Sequence, residues 1–345
     1  MKAATRGGRG GDALITGPRA HPGMPTVVVS DGKTTDVDAE RAALADVGVD
    51  ATVRHAVAHE ETRLLDVAAD ADALVADSNT PVTGDVLRAL DLDVVGRAGV
   101  GVDNVALEAA ERAGTTVVNV PDYARDEVAT HALSLLLAGA RGVPTYDAAT
   151  RGDDWDWTVG RPVHRVPGQT LCLFGFGSIA RRLTELAAGY DFEVLAHDPY
   201  VDADEMAEWG VERVGFDDLL ARADLLSLHA PATPETRGRF DAAAFEAMAD
   251  GTVFVNTARG ALVEVDALVD ALADGTVLRA GVDVLPEEPP PDDALTGRDD
   301  VFVTPHVGWY SEDAKAELRR RVAADVGRVL AGEVPESPVE PGDGW

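Results

Sequence analysis

The sequence predicts an α/β protein of two doubly wound parallel sheets, each covered by helices on both faces. Three observations carry this. Short apolar runs alternate with helical patterns from Thr26 to Thr304, as expected of parallel strands buried on both sides. A length of 345 residues leaves room for two separate cores. Leu171-Cys-Leu-Phe-Gly-Phe-Gly-Ser-Ile-Ala180, which opens the second alternating stretch, joins a strand to a helix through a glycine turn.

Taken in order, residues 1–24 are rich in Gly, Arg and Ala without periodicity, which predicts a mobile tail with Met24 as an alternative start. The first sheet follows from the strand patterns Thr26–Ser30, Ala51–His55, Ala73–Asp77, Asp93–Gly96 and Thr115–Val120. The helical patterns between them lie near Val37–Val47, Glu61–Ala69, Thr83–Leu90 and Leu107–Ala113. Within this stretch, the glycines of Gly96-Arg-Ala-Gly-Val-Gly-Val-Asp-Asn104 let backbone N–H groups face an anion. Taken alone, the segment reads first as an ordinary glycine-rich turn.

Asp122–Gly142 is one helical pattern with almost no polar face, which predicts a buried helix. The second domain's core would cover one side and a second subunit the other. Trp155 and Trp157 then read either as an arm of the same interface or as local packing. The second sheet follows from Thr170–Phe174, Glu193–His197, Leu225–Leu228, Val253–Asn256, Ala280–Val284 and Val301–Thr304, with a helix at Val263–Ala273. The last helix, Glu312–Ala331, is expected to return to the first domain, and Gly332–Trp345 to be a loose end. The domain limits predicted are a tail at 1–24, a discontinuous domain at 25–122 and 310–335, and an inserted domain at 123–309 carrying a dimerisation helix at 122–142.

Composition narrows the function classes. The net charge of −31, with only three lysines (Lys2, Lys33, Lys315) against 27 arginines, repels nucleic acid and anionic lipid. In molar salt, where the screening length is about 3 Å, such a surface stays hydrated and stops repelling itself. This predicts a salt-rich cytosol, the alternative being an acidic protein of ordinary cytosol. No apolar run reaches membrane-spanning length and no apolar leader opens the chain, so neither membrane insertion nor export is expected. Cys172, the only cysteine, lies in an apolar strand and reads as a small buried hydrophobe.

The glycine turn has the context needed to hold a pyrophosphate on a helix N-terminus, with Gly175 for the tight turn and Gly177 for close approach. Such turns are common, and the match alone does not decide. Asp198, which ends the next strand 21 residues after Gly177, adds a carboxylate that would bond ribose hydroxyls and repel a 2′-phosphate, so the cofactor predicted is NAD rather than NADP. Three further residues follow strand ends and would share one rim: Arg259, Glu288 and His306. Singly they read as a surface arginine, a solvated loop acid and a core histidine. Together they make one reaction. Reduction of a 2-oxo acid needs a cation for the carboxylate, which an arginine fork supplies, and a proton donor for the developing alkoxide, which a histidine oriented by a carboxylate supplies. Arg259 is therefore assigned to the carboxylate, His306 to the proton and Glu288 to His306; no metal is expected.

Here the chain resembles the D-isomer-specific 2-hydroxyacid dehydrogenases over roughly residues 26–330. The likeness rests on Gly96–Asn104, the glycine turn with Asp198, Asn256-Thr-Ala-Arg-Gly260, Gly281-Val-Asp-Val284 leading to Glu288-Pro289, and Pro305-His306. The resemblance implies an NAD-dependent homodimer acting on a small 2-oxo or 2-hydroxy acid, with a flavodoxin-like substrate domain that closes on an inserted Rossmann domain. It places Ser178 and Ile179 at the pyrophosphate, and Thr257, Ala258, Asp283 and Gly308 among the cofactor contacts on the nicotinamide side. Backbone N–H groups of Val100 and Gly101 would meet the substrate carboxylate. Gly96–Asn104 is similar to phosphoglycerate dehydrogenases. Against that branch, a length of 345 is expected to leave no room for a regulatory domain, although short forms exist, and Asp77 stands where the branch usually has an arginine for the substrate phosphate. Pro305-His-Val-Gly-Trp-Tyr-Ser-Glu312 instead resembles the branch related to the C-terminal-binding proteins, which makes Trp309 a wall of the substrate pocket, or else a packing residue. Two alternatives stay open: D-3-phosphoglycerate dehydrogenase, and an NAD-sensing, corepressor-like dimer that binds other proteins.

Overall fold

The computed structural model describes residues 24–32, 37–291 and 294–342; the stretch read as a mobile tail lies, up to residue 23, outside the described residues. The chain forms two compact units, one running up to Pro121 and resuming at Ala316, the other spanning Asp122–Lys315. The inserted unit thus extends six residues beyond the 309 limit read from the sequence.

In the first unit, β1 (Thr26–Ser30), α1 (Asp38–Asp46), β2 (Thr52–His55), α2 (Glu61–Val67), β3 (Ala73–Ala76), α3 (Gly84–Ala89), β4 (Val94–Arg97), α4 (Leu107–Ala113) and β5 (Thr116–Val118) alternate. The five strands are parallel in the order β2-β1-β3-β4-β5, the flavodoxin-like winding. Val27, Val28 and Val29 are all buried, which is why these strands read as unbroken apolar runs.

The second unit contains α5 (Arg125–Arg141), α6 (Val143–Arg151), β6 (Thr170–Phe174), α7 (Ser178–Ala187), β7 (Glu193–His197), α8 (Ala203–Glu208), β8 (Glu212–Arg213), α9 (Phe216–Ala221), β9 (Leu225–Leu228), α10 (Ala242–Glu246), β10 (Thr252–Asn256), α11 (Val265–Asp274), β11 (Val277–Val282) and β12 (Val301–Val303). Its seven described strands are parallel in the order β12-β11-β10-β9-β6-β7-β8, and the winding reverses between β6 and β9. Alternation along β6 divides the core. Leu171 and Leu173 pack on the side of α5 and α7, and Cys172 and Phe174 on the side of α9, α10 and α11. Cys172 is fully buried, and burial pushes its thiol up to about 12.

Three expectations are corrected. The sheet gains β8, a two-residue charged edge strand too short to show as an apolar run. The helical stretch at 122–142 begins at Arg125 and is followed by α6, the two separated by Gly142 in the left-handed region (φ 63°). As expected, this chain's own core covers only one side of α5: Ala129, Ala132, Leu135, Leu136, Gly139 and Ala140 are covered, while Leu133 and Leu137 are half-buried and Thr130 and Ser134 exposed. Finally, the described part of Gly332–Trp345 is not loose. Val339 N–H donates to Val117 O and Asn119 N–H to Ser337 O, and buried Asp325 accepts from the N–H groups of Glu336 and Ser337.

The last helix, α12 (Glu312–Ala331), enters the first unit at Ala316. Arg319 grips buried Glu40 of α1 with two bonds of 2.7 Å, the bidentate geometry that a guanidinium fork favours. Beneath α12, Gly96 of β4 has no room for a side chain, since a Cβ there would lie 2.7 Å from Val326 and 2.8 Å from Val322. Both neighbours are stiff β-branched residues. Gly96→Ala is therefore predicted to cost about 1–3 kcal/mol through overpacking, seen as a lower urea midpoint at unchanged slope. A wild-type midpoint would show that the helix gives way freely.

Candidate active site

The glycine turn sits where β6 passes into α7. Gly175 has φ 93°, and a Cβ there would meet the Ala230 nitrogen at 2.8 Å and the His229 carbonyl carbon at 2.9 Å, so only glycine fits. Gly177 is the opposite case, since a Cβ would meet nothing within 4 Å and the backbone lies open. Ser178 and Ile179 start α7, where N–H groups lack partners inside the helix and the dipole favours an anion. Ala180, where a third glycine is more usual, is fully buried and packs with Leu171 and Leu183.

Asp198 follows β7 and faces back to this turn. One of its oxygens accepts the Phe176 N–H and the other the Tyr200 N–H, both at 2.9 Å. A carboxylate oxygen accepts two bonds, so each retains capacity for a ribose hydroxyl. Thr257, beyond β10, is buried with an unpartnered hydroxyl oxygen. Open glycine backbone, a helix N-terminus, an anchored carboxylate and an orphaned buried hydroxyl together fit a dinucleotide.

The three candidate catalytic residues follow β10, β11 and β12, which are consecutive neighbours in the parallel sheet and so end on one rim. Asn256 shapes the first loop: its Nδ2 donates to Arg259 O at 2.9 Å and its Oδ1 accepts the Ala258 N–H at 3.0 Å. Half-buried Arg259 leaves this loop with Nη1 on Ala258 O at 2.8 Å. Gly260 next to it lies so close to the Leu285 carbonyl that a Cβ would collide with it. Leu285 in turn donates its N–H to Glu288 Oε1 at 3.0 Å, and Glu288 Oε2 lies 2.8 Å from His306 Nδ1. Backbone packing thus links the arginine loop to the Glu288–His306 pair. Burial pushes the Glu288 carboxyl up, but the bond from His306, its charge and the Leu285 N–H outweigh this and hold it below the usual range.

Asp283 organises the loop after β12. It is 3% exposed and accepts the Thr304 hydroxyl at 2.5 Å and the Val307 N–H at 2.9 Å on one oxygen, and the Gly308 N–H at 2.8 Å on the other. Its main-chain oxygen accepts the His306 N–H at 2.9 Å. Wrapping the chain round this carboxylate puts His306 at φ 52°, in the left-handed region. Burial raises the Asp283 carboxyl, but bonds from His131, Thr304, Val307 and Gly308 bring it below the ordinary value. Trp309 donates its indole N–H to His306 O at 2.9 Å and meets Tyr310 edge-on and Tyr123 at a tilt. Its visible role is to hold the histidine's carbonyl.

In the first unit, Asn104 ties the glycine loop to the end of β3, its Nδ2 donating to Asp77 O at 2.9 Å and Thr80 O at 2.7 Å. On the same loop, Asn119 donates to Val100 O at 2.6 Å. Asp77, read from the sequence as a charge facing the substrate, is instead buried. It accepts N–H groups of Gly32, Asn79 and Thr80 and the Thr80 hydroxyl, and pairs with His59 at 3.2 Å. Burial raises its carboxyl and these bonds more than reverse the effect, so it is a charged local brace.

The family model for the NAD-binding domain of D-isomer-specific 2-hydroxyacid dehydrogenases matches residues 133–308, just over half the chain. The chain belongs to this family. Its matched domain contains the glycine turn, Asp198, Arg259, Glu288 and His306, and its cofactor is NAD. The chain is 38% identical to the D-3-phosphoglycerate dehydrogenase of Mycobacterium tuberculosis over 322 residues, 93% of this chain and 60% of that protein. It is 38% identical to that of Methanocaldococcus jannaschii over 278 residues, 80% of this chain and 53% of that protein. The chain thus spans little more than half the length of these curated relatives. Among solved structures it resembles a Thermus thermophilus protein, with a TM-score of 0.82 and 30% identity over 91% of this chain and 99% of that one. It also resembles the D-lactate dehydrogenase of Escherichia coli, with a TM-score of 0.77 and 26% identity over 92% of this chain and 100% of that one.

Sequence reading missed the bracing by Asn256 and the network of Thr304 and His131 around Asp283. An asparagine three residues before Arg259, at a strand end, was a visible turn signal; the His131 contact, across 173 residues, left none. Asp283 and Glu288 bind protons less tightly folded than unfolded, so both stabilise above the ordinary carboxylate pKa and lose this as pH falls through their lower folded values. By calorimetry, the gap in melting temperature between wild type and Asp283→Asn should narrow as pH drops from about 5 to about 3. A constant gap would contradict the charged state of Asp283.

Proposed function

We propose that the protein is an NAD(H)-dependent D-2-hydroxyacid dehydrogenase that reduces small 2-oxo acids and runs the reverse oxidation. The observation that carries this is the 2.8 Å pair of His306 and Glu288 on the rim that also holds Arg259. Glu288, charged and accepting at Nδ1, fixes the histidine tautomer and orientation and supports the imidazolium. His306 Nε2 then gives a proton to the carbonyl oxygen as it becomes an alkoxide, and takes it back in the reverse direction. Arg259 holds the carboxylate through its fork and draws charge from the adjacent carbonyl. NADH, when bound, supplies the hydride. Gly177, Ser178, Ile179 and Asp198 would hold its pyrophosphate and ribose, and Thr257, Ala258, Asp283 and Gly308 its nicotinamide side.

A narrower reading, D-3-phosphoglycerate dehydrogenase, is favoured by the 38% identity to proteins of that name. Asp77 is buried and taken up by the N–H groups of Gly32, Asn79 and Thr80, so it is a support of its loop rather than a direct contact for a substrate phosphate. Steady-state rates with NADH and a panel of 2-oxo acids, and with NAD and 3-phosphoglycerate, separate the readings. On the best substrate, His306→Ala should lower kcat by about 10²–10⁴-fold while NADH binding by fluorescence stays within twofold. Turnover retained by the variant would remove the mechanism.

The working state is a homodimer in a salt-rich cytosol. Trp155 and Trp157 are 91% and 71% exposed, Leu133 and Leu137 form a half-buried stripe on α5, and the net charge is −31. Among the described residues, no helix is long and apolar enough to cross a membrane. Sedimentation equilibrium in molar salt should give twice the chain mass, and removing salt should bring dissociation or unfolding as screening is lost. A monomer in molar salt, or a folded dimer without salt, would refute the respective half of this reading.

A further inference from the structure

His131 of α5 lies outside the set assigned to the reaction, yet it closes the network that shapes the catalytic loop. Its Nε2 is 2.9 Å from Thr304 Oγ1 and 3.4 Å from Asp283 Oδ1, and its side chain is 22% exposed. The donors can be assigned by elimination. Asp283 is an acceptor only in its charged state, and the single hydroxyl hydrogen of Thr304 is spent on it at 2.5 Å. Thr304 Oγ1 must therefore accept from His131, which fixes a proton on Nε2.

The helix that carries His131 is a firm anchor. A Cβ on Gly281 of β11 would lie 3.1 Å from the Leu135 Cβ, and one on Gly139 of α5 would lie 2.7 Å from Val253 of β10, so α5 is pressed directly onto the sheet. One turn before His131, Glu127 accepts the Ser311 hydroxyl at 2.8 Å. Residues four apart share a helix face. A single face of α5 therefore clips the catalytic segment on both sides of His306, at Thr304 before it and at Ser311 after it. Between the clips, Asp283 gathers the N–H groups of Val307 and Gly308 and holds His306 in a backbone state that most residues avoid.

We propose that His131 is a positioning residue for His306, acting through Thr304 and Asp283 to keep the 304–308 loop wrapped and the imidazole aimed at the substrate. This rests on the reading of His306 as the proton donor. Without the Nε2–H, the Thr304 hydroxyl loses the partner that orients it on Asp283, and the loop gains conformations in which His306 leaves the left-handed region. The glycine turn and Asp198, which would carry the pyrophosphate and ribose, are not touched. The loss therefore falls on kcat more than on NADH affinity, although Asp283 and Gly308 would line the nicotinamide side.

The test compares His131→Leu, which removes the donor, with His131→Gln, whose terminal amide restores one, and with Thr304→Val. His131→Leu should lower kcat about tenfold with KM for NADH within twofold, and His131→Gln should recover to within about threefold of wild type. The His131→Leu, Thr304→Val double variant should be no slower than the slower single, because both remove one linkage. Hydrogen exchange at the Val307 and Gly308 amides, read by mass spectrometry, should quicken in His131→Leu and not in His131→Gln. Wild-type kcat in His131→Leu, equal loss in the Leu and Gln variants, or unchanged amide exchange would overturn the proposal. If the wild type reduces no 2-oxo acid, the reaction reading itself fails, and amide exchange still decides whether His131 holds the loop.

Discussion

The site depends on one buried carboxylate. Asp283 has lost its water and must be compensated, and the compensation comes from the N–H groups of Val307 and Gly308, the Thr304 hydroxyl and the neighbouring His131. Because these donors lie on both sides of His306, satisfying the carboxylate forces the chain to curl round it. The left-handed backbone of His306 is a consequence of that curl. A strained histidine would be expected to relax by about 1–2 kcal/mol, and several hydrogen bonds to a charged group offset this. The proposed proton donor is thus held in place by a buried carboxylate and its donors rather than by its own local preference.

The same division of labour recurs across the rim. Glu288 is fixed by the Leu285 N–H before it meets His306, Leu285 backs onto Gly260, and Asn256 fixes the carbonyl of Arg259. Each functional side chain leaves a backbone already bound elsewhere, the condition for holding charges in place before a reaction begins. Parallel winding makes this economical, because three adjacent strands deliver their following loops to one edge of the sheet. The Trp309 indole belongs to the same support, since its N–H bonds the His306 carbonyl.

Asp77 and Asp198 show how differently two aspartates at strand ends can behave. Both end apolar runs; from sequence Asp198 reads as a bond to ribose and Asp77 as a charge that would repel a substrate phosphate. Asp198 remains half-buried, with one backbone donor on each oxygen and capacity to spare. Asp77 is buried and fills its oxygens with donors from its own loop, Asn79 and Thr80, and from Gly32 after β1. Sequence position alone does not separate them, because the difference lies in which neighbouring N–H groups point inward.

The sequence by itself determined the two parallel sheets, the glycine turn, the acid after the second strand of the inserted unit, and that Arg259, Glu288 and His306 each follow a strand end on one rim. These are local properties, in which apolar runs, glycine punctuation and a strand end each leave a mark within a few residues. Only the tertiary structure decided the bonding of Asp77, the packing of residues 332–342 on β5, the exposed side of α5, and the meeting of His131 with Thr304 across 173 residues. Such features arise when distant segments compete to satisfy one buried polar group or cover one apolar face. Nothing in the local order of residues records which segment wins.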